Sequence, residues 1–276
     1  MAYSFSLRYL DTSLVFKSAK AAPIDHISFI YGKMQENSPS EKRKVYTIKK
    51  GIRGYSLIHN KNRMFRNFGL DTAIENIEIS IEMTVVSENP GVVFFHAGTV
   101  SDMEGNISLI AAESGEGKTT LCAMLAQRGL FSEGDELVGI SPEMPLRPIP
   151  FKKALKVRKE SLPFLMESGK RLIIETEKRG ESNLIYWLPD NIADTVPETN
   201  KEIRRVFFLR FSLEGPNSVS HVSAQEAIKR LADACHDFSE KRSLAMGTIL
   251  FIVNQAEIIE IAYNHPDYAV SCIQDV

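Results

Sequence analysis

One stretch constrains this chain more than any other: residues 106–120, which run N-I-S-L-I-A-A-E-S-G-E-G-K-T-T. Ile107, Leu109 and Ile110 form an apolar run of the kind that makes a buried strand. Behind it, Leu121-Cys122-Ala123-Met124-Leu125-Ala126 puts Leu121, Met124 and Leu125 on the inner face of a helix. Between the two stand Ser114, Gly115, Glu116, Gly117, Lys118, Thr119 and Thr120. A strand, a glycine turn and a helix in that order match the phosphate-binding loop G-x-x-x-x-G-K-[ST], with Ala112 in place of the first glycine. In such a turn, successive backbone N–H groups converge at a helix N-terminus and make a cradle for an anion. Lys118 is expected to reach the β- and γ-phosphates of ATP, and the Thr119 hydroxyl to ligate Mg²⁺. The bland alternative is a glycine-rich turn with a chance lysine. The intact G-x-G-K-T-T core in its strand–loop–helix context favours phosphate.

With 276 residues, 25% charged and 43% apolar, the chain can bury a core for one large or two small domains. A net charge of −2 gives no reason to expect nucleic acid or an anionic membrane as the main partner. Cys122, Cys235 and Cys272 are odd in number, widely spaced and without a C-x₂-C pair, so a reducing cytoplasm is expected, with Cys122 as packing. Met1-Ala2-Tyr3-Ser4 does not open a signal peptide, and no apolar run is long enough for a membrane span.

Residues 1–70 read as an N-terminal lobe, β-rich or α/β, and residues 71–276 as an α/β catalytic domain. Tyr3–Leu10, Leu14–Phe16, His26–Tyr31, Tyr46–Ile48 and Tyr55–Ile58 are strand-like. Residues 36–43 read as a polar loop, and His26 and His59 as structural. Residues 70–89 fit a helix, with Asp71 as N-cap. A strand over 92–100 beside 107–112 would bring His96 close to the loop, either to contact the γ-phosphate or to end a strand in a hydrogen bond. Arg128-Gly129 is a helix stop.

Seventeen residues beyond Lys118, Asp135 and Glu136 close a short strand, where open α/β sheets bind ligands. A metal and base role is expected for the pair, without choosing between them. Residues 141–151, with four prolines, read as extended surface. Residues 152–159 (K-K-A-L-K-V-R-K) read as a solvated basic helix face, or alternatively as a phosphate or acidic-peptide site. Leu172–Ile174, Leu184–Leu188 and Val206–Phe211 read as strands, 224–238 as a helix capped by Ser223, 249–261 as strand and 266–273 as a final helix. Arg147, Arg158 and Arg210 are weaker candidates for contacts to phosphate or substrate.

The order H-A-G-T-V, then S-G-E-G-K-T-T-L, then Q-R-G-L-F-S-E-G-D-E resembles the HPr kinase/phosphorylase catalytic domain, with His96 lying 22 residues before Lys118. The resemblance is specific over 92 to about 160. Farther on, F-F-L-R-F-S and H-V-S-A-Q-E-A-I-K-R-L look like smaller HPr-kinase-like proteins, some of which act as lasso-peptide precursor kinases. Glu136 stands where the family has a second Asp, and the family's R-G-L-G-I-like and P-V-R-P-G-R-like segments are not found. The resemblance therefore implies a P-loop serine kinase using ATP and Mg²⁺ on a peptide or small protein, without the phosphorylase reaction. It implies Glu136 as base and Thr119 with Asp135 as metal ligands, while His96 could contact the γ-phosphate or tune the carboxylates. The alternatives are a regulatory nucleotide-binding ATPase module without kinase activity, a kinase of HPr itself, or a metal-free scaffold. Whether the chain self-associates into a homo-oligomer stays open at this level.

Overall fold

The computed structural model describes residues 2–36, 42–144, 146–165, 169–176, 183–189 and 202–275. In chain order, the first elements are β1 (Tyr3–Tyr9), β2 (Thr12–Ser18), α1 (Ala21–Tyr31), β3 (Lys42–Gly51), β4 (Gly54–His59), β5 (Asn62–Phe68) and α2 (Leu70–Glu88). Then come β6 (Val93–Phe95), β7 (Gly98–Ser101), β8 (Asn106–Ala111), α3 (Lys118–Gln127), β9 (Phe131–Gly134), β10 (Val138–Ile140) and β11 (Pro148–Pro150). The rest are β12 (Leu155–Val157), β13 (Lys170–Ile174), β14 (Leu184–Leu188), β15 (Glu202–Phe211), β16 (Ser218–His221), α4 (Ala224–Asp233), α5 (Arg242–Gln255), β17 (Glu257–Tyr263) and α6 (Pro266–Asp275). The fold is mixed α/β, and its contacts divide it into two compact units. Unit one holds Met1–Asn89, Lys152–Leu162 and Gly169–Leu188; unit two holds Pro90–Phe151, Pro163–Ser168 and Pro189–Val276. Residue 70, where the lobe was expected to end, is the start of α2, which groups with unit one.

Unit one is built on a five-stranded sheet in the order β1-β2-β3-β4-β5. β2 and β3 run parallel, so a crossover must join them, and α1 supplies it. The strand expected over 26–31 is therefore helical. Pro23, Ile24, Ile27, Ile30 and Tyr31 are buried at helical spacing, a pattern that a six-residue window of mixed apolar residues hides. α2 forms as expected, burying Ala73, Ile74, Ile77, Ile81 and Val85 along one stripe. Asp71 is not its N-cap. Gly69 holds that position without a side-chain bond, and Asp71 lies in the first turn, accepting from Thr176 Oγ1 at 2.8 Å. The polar loop expected over 36–43 falls mostly outside the described residues, and its last two residues open β3.

The basic run 152–159 is not a solvated helix face either, because it carries β12, paired with β14 in a three-stranded antiparallel sheet. Lys153 is 2% exposed and donates to Glu78 at 3.1 Å and Glu82 at 3.2 Å, while Lys156 donates to Glu75 at 2.6 Å. Tyr186 Oη donates to the other Glu78 oxygen at 2.5 Å, so both oxygens of that buried carboxylate are occupied. The glutamates recur at helical spacing along α2, and they consume the two lysines.

Unit two contains a six-stranded sheet in the order β16-β17-β15-β8-β7-β9 and a three-stranded sheet β11-β10-β6. β8, β15 and β17 run parallel at its centre, and Val206-Phe207-Phe208-Leu209 of β15 are all buried, as strands covered on both faces must be. α3 and α6 pack together, against β7, β9 and β17. α4 and α5 join Val93, Leu109, Val206 and Phe208 in a separate core cluster through Ala227, Leu231, Ile249 and Ile252. The strand expected over 249–261 is thus split: α5 runs to Gln255 and β17 begins at Glu257. Four residues between Pro142 and Phe151 likewise join a sheet edge as β11 or bury, with Pro148–Pro150 paired to β10 and Phe151 fully buried. Ser223 caps α4 by accepting from the Glu226 amide, as expected.

Gly134 closes β9 with φ +133°, and a Cβ there would meet the Phe151 carbonyl oxygen at 2.7 Å. Gly134→Ala should lower stability by about 1–3 kcal/mol, the scale of a residue forced into a glycine-only conformation. Gly91, which has open space around it, is the control: Gly91→Ala should change stability by less than about 0.5 kcal/mol. Urea denaturation of the two variants checks both.

Candidate phosphate-binding site

The loop leaves β8 at Ala111 and enters α3 at Lys118. Gly115 and Gly117 have φ of +97° and +83°, a region that residues with a Cβ enter at a cost. Gly117 is constrained twice, because a Cβ there would also sit 2.5 Å from Tyr263 Oη. That hydroxyl donates to the Glu116 carbonyl at 2.5 Å and ties the loop to the end of β17. Burial raises the Tyr263 pKa, which keeps it a donor. Within the loop, the Glu116 amide donates to the Glu113 carbonyl at 3.2 Å, and the Glu113 amide to the Glu116 carboxylate at 3.3 Å. Ser114 and Gly115 are exposed, while Thr119 and Thr120 are half-buried in the first turn of α3. The helix ends in a Schellman motif, with Gly129 at φ +103°, its amide on Ala126 O and the Leu130 amide on Leu125 O.

Lys118 is 8% exposed and does not point into solvent. Its Nζ donates to the Asp135 backbone oxygen at 2.5 Å and lies 3.5 Å from Asp135 Oδ1. Asp135 is 3% exposed, follows β9 directly, and its Oδ1 makes no hydrogen bond among the described residues. Gly98 on β7 makes room for this contact. A Cβ there would stand 2.5 Å from Cys122 Sγ, 3.3 Å from Asp135 Oδ1 and 3.5 Å from Lys118 Cγ. Cys122 is therefore more than filler: it is buried against the carboxylate, and burial first, then the Asp135 charge, pushes its thiol pKa well up.

His96 does not lie in one continuous strand. The chain leaves the three-stranded sheet at Phe95 and enters the six-stranded sheet at Gly98, so His96-Ala97 crosses from one to the other. Its amide donates to Ala234 O at 2.8 Å, the His236 amide donates to Phe94 O at 2.9 Å, and Phe95 bridges Cys235. That pairing sets the His96 and His236 rings edge to face, 5.9 Å between centroids. Both pKa values are lowered. For His96 the main cause is burial, followed by the Lys118 cation, with Glu136 opposing; for His236 it is again burial, opposed by Asp237 and Glu136. Lys118, Asp135, Glu136 and the two histidines thus lie within one another's fields.

His236 and Tyr263 were missed by the sequence reasoning. The A-C-H-D-F context of His236 carries no motif, and it reaches the site only through a bridge to Phe95. Tyr263 had one usable signal, its place at the C-terminal end of an apolar strand in an α/β pattern. Of the three weaker arginines, Arg210 stands 3.5 Å from Glu260, Arg147 lies in the turn before β11, and Arg158 follows β12 in unit one. His59 is structural, its Nδ1 2.9 Å from Val45 O, and the three cysteines are free thiols. Among the described residues no helix is long and apolar enough to cross a membrane. Comparison with protein-family models and with curated proteins gives no match.

The lowered histidine values predict a direction. The fold favours both imidazoles neutral, so their contribution to stability is present above the ordinary value of 6.5 and is lost as pH falls through their lower folded values. Histidine NMR titration should give midpoints below 6.5 for both rings, each assigned by His→Gln substitution. A midpoint at or above 6.5 would contradict the burial described here.

Proposed function

We propose that the chain is an ATP-dependent serine kinase acting on a peptide or small protein. The motif resemblance suggests a ribosomally made precursor of the lasso type as the substrate class. The observation that carries the proposal is the buried Lys118–Asp135 contact at a loop whose two glycines hold left-handed conformations, with Glu136 next in the chain.

The residues present suit a nucleotide with Mg²⁺. The loop offers amides at a helix start, and Asp135 Oδ1 is a buried carboxylate oxygen with no hydrogen bond among the described residues. Thr119 and Asp135 would hold the ion. Among the described residues no cluster of three His, Cys, Asp or Glu side chains forms a protein-only metal cage, and Mg²⁺ does not need one, since it takes most of its ligands from phosphate and water. Bound ATP with its ion supplies the phosphoryl group and neutralises its charge.

The remaining work belongs to the chain's own side chains. Residues 114–120 bind phosphate through backbone amides, and Lys118 adds a positive charge beside them. A Glu136 carboxylate oxygen accepts the proton that the acceptor Ser hydroxyl gives up as its oxygen bonds to the γ-phosphorus and the bond from that phosphorus to the departing ADP oxygen breaks. His96 and His236 are neutral near pH 7, so they offer hydrogen bonds there without adding a cation that would compete with Lys118.

The test is mass spectrometry of candidate Ser peptides incubated with ATP and Mg²⁺, which should gain about 80 Da, the mass of the transferred group. Glu136→Gln should keep nucleotide binding and lose about 10²–10⁴-fold in transfer rate. Asp135→Asn should raise the Mg²⁺ requirement instead. Lys118→Ala should abolish transfer, and because it strands a buried carboxylate it should also cost about 1–3 kcal/mol of stability. Normal transfer by Glu136→Gln would sink the base assignment. ATP hydrolysis with no peptide modified would point to the regulatory ATPase.

A further inference from the structure

The face of the N-terminal sheet turned away from α2 carries a charge pattern that the phosphate loop does not explain. From Lys42 to Leu70 the chain holds five lysines and four arginines and neither Asp nor Glu, leaving 24 basic against 35 acidic residues elsewhere. Tyr46, Ile48, Tyr55 and Leu57 bury the inner face, and Tyr46 Oη bonds Thr84 of α2 at 2.7 Å. Alternation sends Thr47, Lys49, Ser56 and Ile58 to the other side.

The register then places one row across four strands. Lys17 lies opposite Thr47, Thr47 opposite Ile58, and Ile58 opposite Arg63, with Lys49 opposite Ser56 in the next row. Lys17, Lys49 and Arg63 are exposed, and none has an ion-pair partner among the described residues. On the inner side, by contrast, Lys44 is neutralised by Glu88 at 2.8 Å. Among the described residues, Glu36 bonds Ser13 Oγ at 2.6 Å in register with Arg43, and Asp11 stands 3.9 Å from Arg8; both lie away from the Lys49 end.

Cations on an edge strand can simply discourage aggregation, which would account for Arg63 on β5. That reason does not cover Lys17 on β2 or Lys49 on β3, which are interior strands. The chemistry also narrows the partner. The aromatics Tyr46 and Tyr55 face inward, so the outer face lacks the stacking platform that single-stranded nucleic acid uses. Among the described residues its large apolar groups are Val15, which is buried, Ile58, which is half-buried, and Val45, which is 37% exposed, so little is left to insert into a lipid surface. An extended peptide needs only what is present. Carboxylates four residues apart lie on the same side of an extended chain and span about 13 Å, close to the three strand spacings of about 4.8 Å between Lys17 and Arg63.

We propose that the Lys17–Lys49–Arg63 face of the N-terminal sheet docks an extended acidic peptide segment. This stands whether or not the chain is a kinase. The experiment measures fluorescence anisotropy of a short labelled peptide with Glu at every fourth position, titrated with the full chain. Its Gln counterpart, a single-stranded oligonucleotide of equal charge and phosphatidylserine-containing vesicles serve as comparisons. The Glu peptide should bind, more weakly as salt rises, and more tightly than any comparison. The triple variant K17E/K49E/R63E should weaken it about tenfold or more with an unchanged melting curve. If charge reversal perturbs folding, K17Q/K49Q/R63Q replaces it and should still weaken binding. Equal binding of the Gln peptide, an unaffected triple variant, or tighter binding of the oligonucleotide or vesicles would overturn the proposal.

Discussion

Strand β8 is hydrogen-bonded to a parallel neighbour, β15, and an antiparallel one, β7, and the candidate site hangs from that arrangement. A parallel pair cannot be closed by a tight turn; the chain leaves β8 through a glycine turn into α3, and that turn's backbone N–H groups at a helix start are the geometry from which anion binding is proposed. The antiparallel partner does the second half of the work. β7 carries Gly98 against Cys122 and pairs with β9, whose end presents Asp135 to Lys118. β17, on the far side of β15, supplies the Tyr263 hydroxyl that holds the loop carbonyl.

Two buried lysine–carboxylate contacts in this chain invite opposite readings, and the difference lies in satisfaction rather than burial. Around Lys153 every charge has partners. Glu78 receives Lys153 on one oxygen and Tyr186 on the other, so the cluster serves as an internal clasp between α2 and the small sheet. Around Lys118 the strong bond goes to a backbone oxygen, and Asp135 Oδ1 is left with a 3.5 Å ion pair and, among the described residues, no hydrogen bond. A desolvated carboxylate in that condition is costly in an idle fold. It is understandable beside a loop proposed to bind a charged ligand, which is why the second pair, and not the first, enters the proposed mechanism.

Much of the local structure was legible because short-range rules govern it. β8, the glycine loop, α3 and its Gly129 stop follow from spacing within some twenty residues, as do the Ser223 cap and the carboxylate pair after β9. The errors have a common cause. In α1 and α5 the β-branched and aromatic residues are closely bunched, and over six residues such a run fits strand as well as helix. Only the burial of Ala245, Thr248, Ile249 and Ile252, spread over about two turns, reveals the helical stripe of α5. The lysines of 152–159 failed differently, because their carboxylate partners lie some 70 to 80 residues earlier on α2.

The sequence by itself determined where a phosphate could be cradled, since backbone conformation there depends on two glycines and the residues beside them. It also determined that Lys118, Thr119, Asp135 and Glu136 would stand at the ends of a helix and a strand. Tertiary structure alone decided what surrounds them. His236 meets His96 through a two-residue bridge spanning 140 positions, and Tyr263 reaches Glu116 across 147. It likewise decided which of the many surface cations stay unpaired, by folding α2 against one face of the N-terminal sheet and leaving Lys17, Lys49 and Arg63 exposed on the other. Contacts of that range carry no periodicity and no fixed spacing, so they exist only once the strands have chosen their neighbours.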